Sequence, residues 1–185
     1  MPLAQTRIAR VSTLECPARI LAQIEAIFFE ASARPPRSGP ERDAFRERWL
    51  GRYLQGGTDV VLVALAGGDT VAGYLVGALE NPALQDRFAD IGYFRADFAG
   101  LTRRYPAHLH INLAKTFRSQ GIGARLIEGF ADIVRQSGAP GLHVVTGRAM
   151  RNVRFYERCG FVACGFTMWN GRELVFLGRS LPPDC

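Results

Sequence analysis

Phe117-Arg118-Ser119-Gln120-Gly121-Ile122-Gly123-Ala124 is the run whose residue types and spacing are best suited to chemistry. Ahead of it, apolar residues alternate through Leu109, Ile111 and Leu113, the spacing of a strand. Behind it, Ile122, Leu126, Ile127, Phe130, Ile133 and Val134 recur at helical spacing. A glycine turn that opens a helix presents main-chain N–H groups without intrahelical partners, together with the positive end of the helix dipole. Both favour a phosphate or pyrophosphate. Gly121 and Gly123 carry no Cβ, so ligand oxygens can come close to the main chain there.

Other glycine loops do not fit. A P-loop requires a Lys after its last glycine, and none follows here. A dinucleotide fingerprint requires a third glycine, where this chain has Leu126. What remains is R-x-x-G-x-G, from Arg118 to Gly123. Farther on lies Arg154-Phe155-Tyr156-Glu157-Arg158-Cys159-Gly160-Phe161, and Gly141 to Thr146 between the two segments reads as a short buried strand. In this order and at this separation, the two segments resemble the signatures of the GNAT superfamily of acyl-CoA-dependent N-acyltransferases, over residues 58–180.

The resemblance implies a co-substrate, acetyl-CoA, whose pyrophosphate is cradled by Arg118, Ser119, Gln120, Gly121, Ile122, Gly123 and Ala124. The Arg118 side chain would add a charge-assisted contact. Main-chain groups at Ile111 and Leu113 would pair with the pantetheine arm like an added strand, and an N–H near Leu113 would polarise the thioester carbonyl. Tyr156 matches the family tyrosine that lies against the cofactor and protonates the leaving thiolate. A phenol with a pKa of about 10 suits that task. Two positions depart from the pattern: Ala149 stands where the family has Asn, and Asn152 where it has Ala. Asn152 is a candidate to replace the missing contact. The implied fold is one α/β (α+β) domain over residues 1–185, with a mostly antiparallel mixed sheet, splayed at the cofactor strand and flanked by helices.

His108, His110 and Asn112 alternate with the apolar residues of their strand and so share its other face, which would border the acceptor. His110 is the candidate general base, acting directly or through a water; a hydrogen-bonded structural histidine is the other reading, and both stay open. His143 is a further candidate on the same terms. The run Tyr105-Pro106-Ala107-His108-Leu109-His110-Ile111-Asn112 is also similar to acetyltransferase-like domains related to O-GlcNAc hydrolases, which carry His-Leu-His-Ile-Asp. Asn112 replaces that Asp and cannot serve as a base.

These residues need a scaffold, and the sequence outlines one. Arg7 to Ser12 reads as a strand, residues 17–31 as a helix with Ile20, Leu21, Ile24, Ile27 and Phe28 on one face, and residues 41–54 as a second helix. Ala33 to Pro40 is a Pro-rich loop. Thr58 to Ala66 and Thr70 to Leu79 form a hairpin around Gly67-Gly68-Asp69, and Phe161 to Trp169 and Arg172 to Arg179 another around Asn170-Gly171. Glu80 to Tyr105 is a long, partly helical connection near the acceptor side. The helix after the glycine turn ends near Ser137 with Gly138 as C-cap, and a short helix spans residues 151–158.

Composition bounds the partners. The 185 residues carry a net charge of +6, nearly all from Arg, since Lys115 is the single Lys. Those charges are scattered, which argues against a nucleic-acid surface. No apolar run reaches the length of a membrane span. The N-terminus shows no charged region followed by an apolar core, so no secretory signal is read and a cytoplasmic location is expected. Cys16, Cys159, Cys164 and Cys185 lack metal-ligand spacing and read as unpaired thiols, so no metal is expected. The expected acceptor is a small-molecule or peptide amine; the oligomeric state stays open, with a homodimer a candidate because dimers are common in the family. A non-catalytic acyl-CoA-binding regulatory module is the alternative, motivated by Ala149 and Asn112.

Overall fold

The computed structural model describes residues 6–32, 35–57 and 59–182. Thr58, residues 33 and 34 of the Pro-rich loop, and Cys185 lie outside the described residues. Seven strands form one mixed sheet in the order β1-β2-β3-β4-β5-β7-β6: β1 Arg7–Arg10, β2 Asp59–Ala66, β3 Thr70–Ala78, β4 Ala107–Leu113, β5 Gly141–Gly147, β6 Val162–Trp169 and β7 Arg172–Ser180. The helices are α1 Pro17–Ala31, α2 Pro40–Trp49, α3 Ala99–Arg104, α4 Ile122–Gln136 and α5 Val153–Arg158. The expected α/β class and mixed sheet are both present. The chain divides into two compact units: residues 1–77 with 110–130, and residues 78–109 with 131–185.

In the first unit, α1 starts at Pro17, whose fixed φ suits a first helical position. It buries Ile20, Ile24, Ile27 and Phe28, while Leu21 stays half-buried at the stripe's edge. β1 and β2 pair antiparallel from Arg7↔Leu65 to Arg10↔Leu62. The Gln23 side chain holds the β2–β3 turn from outside, donating to the Asp69 carbonyl at 2.8 Å and accepting from the Val71 N–H at 3.0 Å. Arg125 of α4 donates to the Thr6 hydroxyl at 2.6 Å and to its carbonyl at 2.7 Å.

Several boundaries differ from the sequence reading, among them the start of the short helix, at Val153 rather than 151. The first strand stops at Arg10 and gives way to a 3-10 turn, Val11–Thr13, where the Thr13 hydroxyl donates to the Arg10 carbonyl. The helix expected over residues 41–54 breaks at Leu50 (φ −139°) and resumes as a 3-10 turn, Gly51–Tyr53. Gly51, a poor helix former, stands at the break. The break sends Tyr53 wholly into the interior.

Gly73 of β3 is fixed by a close approach. A Cβ there would clash with the Leu113 side chain and lie 2.9 Å from the Asn112 carbonyl oxygen. Gly73→Ala is expected to destabilise the protein by about 1–3 kcal/mol, the usual cost of overpacking, because β4 must shift. Urea denaturation checks this. An unchanged midpoint would mean that β4 yields freely.

In the second unit, the long connection folds as three 3-10 turns, Pro82–Leu84, Asp86–Phe88 and Gly92–Phe94, followed by α3. It buries Phe88, Ile91, Phe94 and Phe98, and Arg95 ties it together by donating to the Ala83 carbonyl at 3.0 Å and to Asp86 at 2.9 Å. β4 and β5 run parallel with Ala107↔Leu142 and His108↔His143 as partners. β5–β7 and β6–β7 are antiparallel, with a register shift between Ala163 and Gly165. Asn170 (φ 49°) and Gly171 (φ 72°) make the tight turn that an N-G pair favours. No helix among the described residues is long and apolar enough to cross a membrane.

Candidate active site

The glycine turn lies in the first unit. After β4, the Ala114 N–H donates to the Ala72 carbonyl at 3.0 Å, and a 3-10 turn spans Lys115–Phe117. Ser119 (φ 60°) and Gly121 (φ 76°) both take the left-handed conformation, which reverses the chain into α4. That conformation costs Ser119 free energy, a kind of strain that concentrates where main-chain groups are held for a ligand. Arg118 braces the turn by donating from Nε to the Leu113 carbonyl at 3.2 Å, and Gln120 by donating to the Thr116 carbonyl at 3.0 Å. The Arg125 N–H reaches back to the Gly121 carbonyl at 3.2 Å and closes the first helical turn. By helix geometry, the N–H groups of Ile122, Gly123 and Ala124 precede any intrahelical acceptor. Around the missing Cβ of Gly121 there is no atom within 4 Å, so the turn's outer side has room for a phosphate.

The polar face of β4 is split in its roles. His110 Nε2 lies 3.1 Å from the Tyr53 hydroxyl, and the rings of Trp49 and Tyr53 meet its ring edge-on at 5.5 and 5.2 Å. Burial lowers the His110 pKa to about 4, with the positive charge of Arg52 adding to the shift. The imidazole is therefore neutral at pH 7. Asn112 donates from Nδ2 to the Tyr74 hydroxyl at 2.9 Å. Burial pushes the Tyr74 phenol well above its ordinary range, partly offset by that hydrogen bond.

The linkage gives a pH prediction. A histidine at about 4 when folded and near 6.5 when unfolded binds more protons unfolded across that interval. Stability should therefore fall as pH drops from about 6.5 to 4, and His110→Gln should flatten that slope. Chemical denaturation at a series of pH values measures it. An unchanged slope in the variant would assign the effect to other groups.

His108 and His143 lie in the second unit, as structural residues. His108 is buried with Phe88 edge-on at 4.8 Å and the His143 ring stacked at 5.5 Å. His143 is fully buried, donates from Nδ1 to the Tyr105 carbonyl at 2.5 Å and stacks on Phe176 at 4.4 Å. The expectation that His108 borders an acceptor surface fails because the 3-10 turns of the long connection cover it with aromatic rings.

Tyr156, also in the second unit, is buried on α5 with the Phe161 ring edge-on at 5.7 Å. Gly160 (φ 81°) folds the chain back so that the Phe161 N–H donates to the Tyr156 carbonyl at 3.1 Å. Burial raises the Tyr156 pKa above the usual phenol range, and Cys159 raises it further. Asn152 precedes α5, and its amide is engaged with the Thr146 hydroxyl, which lies 3.1 Å from Nδ2 and 3.2 Å from Oδ1. Ala149 is exposed.

The model of the acetyltransferase (GNAT) family matches residues 22–161. The chain belongs to the GNAT family of acetyltransferases. Solved structures agree on the fold. A GNAT-family protein of Desulfovibrio desulfuricans superposes with a TM-score of 0.66 at 19% identity, covering 95% of this chain and 99% of its own. A Bacillus subtilis acetyltransferase in complex with CoA gives 0.61 at 16% identity, with 96% and 100% covered. The Escherichia coli ribosomal-protein-S18-alanine N-acetyltransferase gives 0.59 at 14% identity, with 95% and 94% covered.

Within this GNAT chain, sequence reasoning missed Trp49, Arg52, Tyr53 and Tyr74, which surround His110 and Asn112. A signal was there in part. α2 has no buried residue, yet it ends in Trp49, with Arg52 and Tyr53 in the turn beyond. Cys16, Cys159 and Cys164 form no disulfide. Among the described residues, no cluster of three or more His, Cys, Asp or Glu is placed to hold a metal ion.

Proposed function

We propose that this GNAT acetyltransferase moves an acetyl group from acetyl-CoA to a primary amine of a small molecule or peptide, by direct attack in a ternary complex. The observation that carries the reading is the turn from Arg118 to Ala124, with two left-handed residues, an open outer side and helical N–H groups behind it. Those groups fit a pyrophosphate. Main-chain groups of Ile111 and Leu113 orient the thioester arm, on a strand that splays from its neighbour, and an N–H near Leu113 stabilises the oxygen as it becomes anionic. Asn152, held at the start of α5 by its hydrogen bonds with Thr146, stands in for the missing Asn contact to the cofactor.

Two side chains move protons in this reading. His110 is the base. An imidazole with a pKa of about 4 is too weak to strip a free ammonium. It takes the proton after attack, when the nitrogen bonded to the tetrahedral carbon has become far more acidic, so the amine enters neutral. Tyr156 then gives its phenolic proton to the departing thiolate; its raised pKa makes it a weaker acid than a free phenol, so the transfer accompanies C–S cleavage rather than preceding it. A cytoplasmic location and a homodimer complete the proposal.

A second reading is a non-catalytic acyl-CoA-binding module. It is favoured by the Asn112 amide being committed to Tyr74 and by Ala149 standing where the family has Asn. Release of free CoA, assayed with a panel of amines beside calorimetry of acetyl-CoA, separates the two. Binding with turnover supports the enzyme, and binding without turnover supports the module. No heat with acetyl-CoA or CoA at millimolar levels sinks both.

A further inference from the structure

The two edges of the sheet, β1 and β6, are built differently. β1 is four residues long and exposes Arg7 and Arg10, the kind of short, charged edge that discourages strand addition. β6 is eight residues long, and from Val162 to Trp169 it holds no charged residue and no proline. Phe166 is 50% exposed and Met168 66%. The strand's one protective device is the register shift between Ala163 and Gly165, which leaves residues 165–169 as a regular run.

The hairpin fixes what that run offers. Trp169 and Arg172 close the two-residue turn as a hydrogen-bonded pair, so Trp169, Thr167 and Gly165 direct their main-chain groups toward β7. The N–H and C=O groups of Phe166 and Met168 therefore point outward, on the side that no strand of the sheet flanks. Their side chains share one face. Arg148 lies on that face too, with its guanidinium 4.5 Å from the Phe166 ring centroid and Nη1 donating to Glu173 at 2.6 Å. Glu173 is the β7 neighbour of Met168.

We propose that β6 pairs antiparallel with β6 of a second copy of this chain, on a two-fold axis through Thr167. The proposal gives an interface to the homodimer of the reading above and rests on that reading, though not on acetyl-CoA. Thr167 is the centre of the regular run, so this axis pairs all of it. Phe166 then exchanges two hydrogen bonds with the partner's Met168, and Met168 two with the partner's Phe166, which satisfies every outward group of both residues. The same pairing sets each thioether beside an aromatic ring. Charge agrees with it. The partner's Glu173 comes to about two strand spacings, roughly 10 Å, from Phe166, so the guanidinium over that ring gains a second carboxylate. An axis through Phe166 would instead bring the two Arg148 guanidiniums over neighbouring rings and run both copies into the irregular part of β6.

Sedimentation velocity on the full chain should show a dimer at about 100 µM. Met168→Lys puts an ammonium into each half of the joint and should weaken the dimer at least about tenfold, with circular dichroism as the control for folding. The two copies of position 167 form a non-hydrogen-bonded pair with Cα atoms about 4.5 Å apart, inside the roughly 4.4–6.8 Å that a disulfide spans. Thr167→Cys should therefore yield a covalent dimer under mild oxidation, with peptide mass spectrometry locating the bond at position 167. Ala163→Cys should not, because its two copies lie more than about 20 Å apart in this register. A chain that stays monomeric overturns the proposal and the homodimer reading together, and leaves the β6 edge to some other partner. A dimer that survives Met168→Lys, or in which Thr167→Cys forms no cross-link, keeps the homodimer and moves its interface off β6. If one of these variants unfolds, the other decides.

Discussion

Tyr156→Phe should lower turnover at least about tenfold and leave the affinity for acetyl-CoA nearly intact. The substitution removes one oxygen from a buried ring and keeps its packing on Phe161. What it takes away is the proton donor of the proposed mechanism. Burial and Cys159 hold the phenol above its ordinary range, so in the wild-type enzyme it stays protonated through neutral and mildly alkaline pH. The rate should accordingly show no alkaline decline from Tyr156 below about pH 10, the ordinary phenol pKa. Steady-state kinetics across pH 6 to 10, with calorimetry of acetyl-CoA, provide both halves of the test. Equal turnover in the variant would assign the proton to water or to another group.

If the proposed cradle holds, Gly123→Val should abolish detectable acetyl-CoA binding, a loss of about a hundredfold or more, because a branched side chain in the first turn of α4 would obstruct the main-chain groups proposed to meet the pyrophosphate. Gly123 is buried in the first turn of α4. Valine is no worse a helix former than glycine at such a position, so propensity alone predicts no loss of fold. Thermal melting checks that, and Gly123→Ala supplies a graded case with a smaller loss. Wild-type affinity in Gly123→Val would move the cofactor elsewhere in the chain.

What the sequence reveals of this fold and site depends on the range of the interactions that decide each part. α1 begins and ends where the sequence pattern puts it, because its periodicity is unbroken and its first residue is Pro17. The left-handed C-cap at Gly138 and the Asn170-Gly171 turn are legible for the same reason, since local sterics decide them. The surroundings of the polar β4 residues are not. Trp49 and Tyr53 reach His110 from more than fifty positions away in sequence, and Phe88 reaches His108 through a connection with no period of its own. Alternation along β4 correctly puts His110 and Asn112 on its polar face. It cannot reveal that Tyr74, on the neighbouring strand β3, claims the Asn112 amide.

The grip of Arg125 on Thr6 matters for anyone handling this protein at the bench. Shortening the chain past Thr6, or fusing a bulky affinity tag immediately before it, would disturb both acceptors of a guanidinium that sits one turn into α4. A trimmed protein that expresses well yet fails to bind acetyl-CoA would then say nothing about the untrimmed chain.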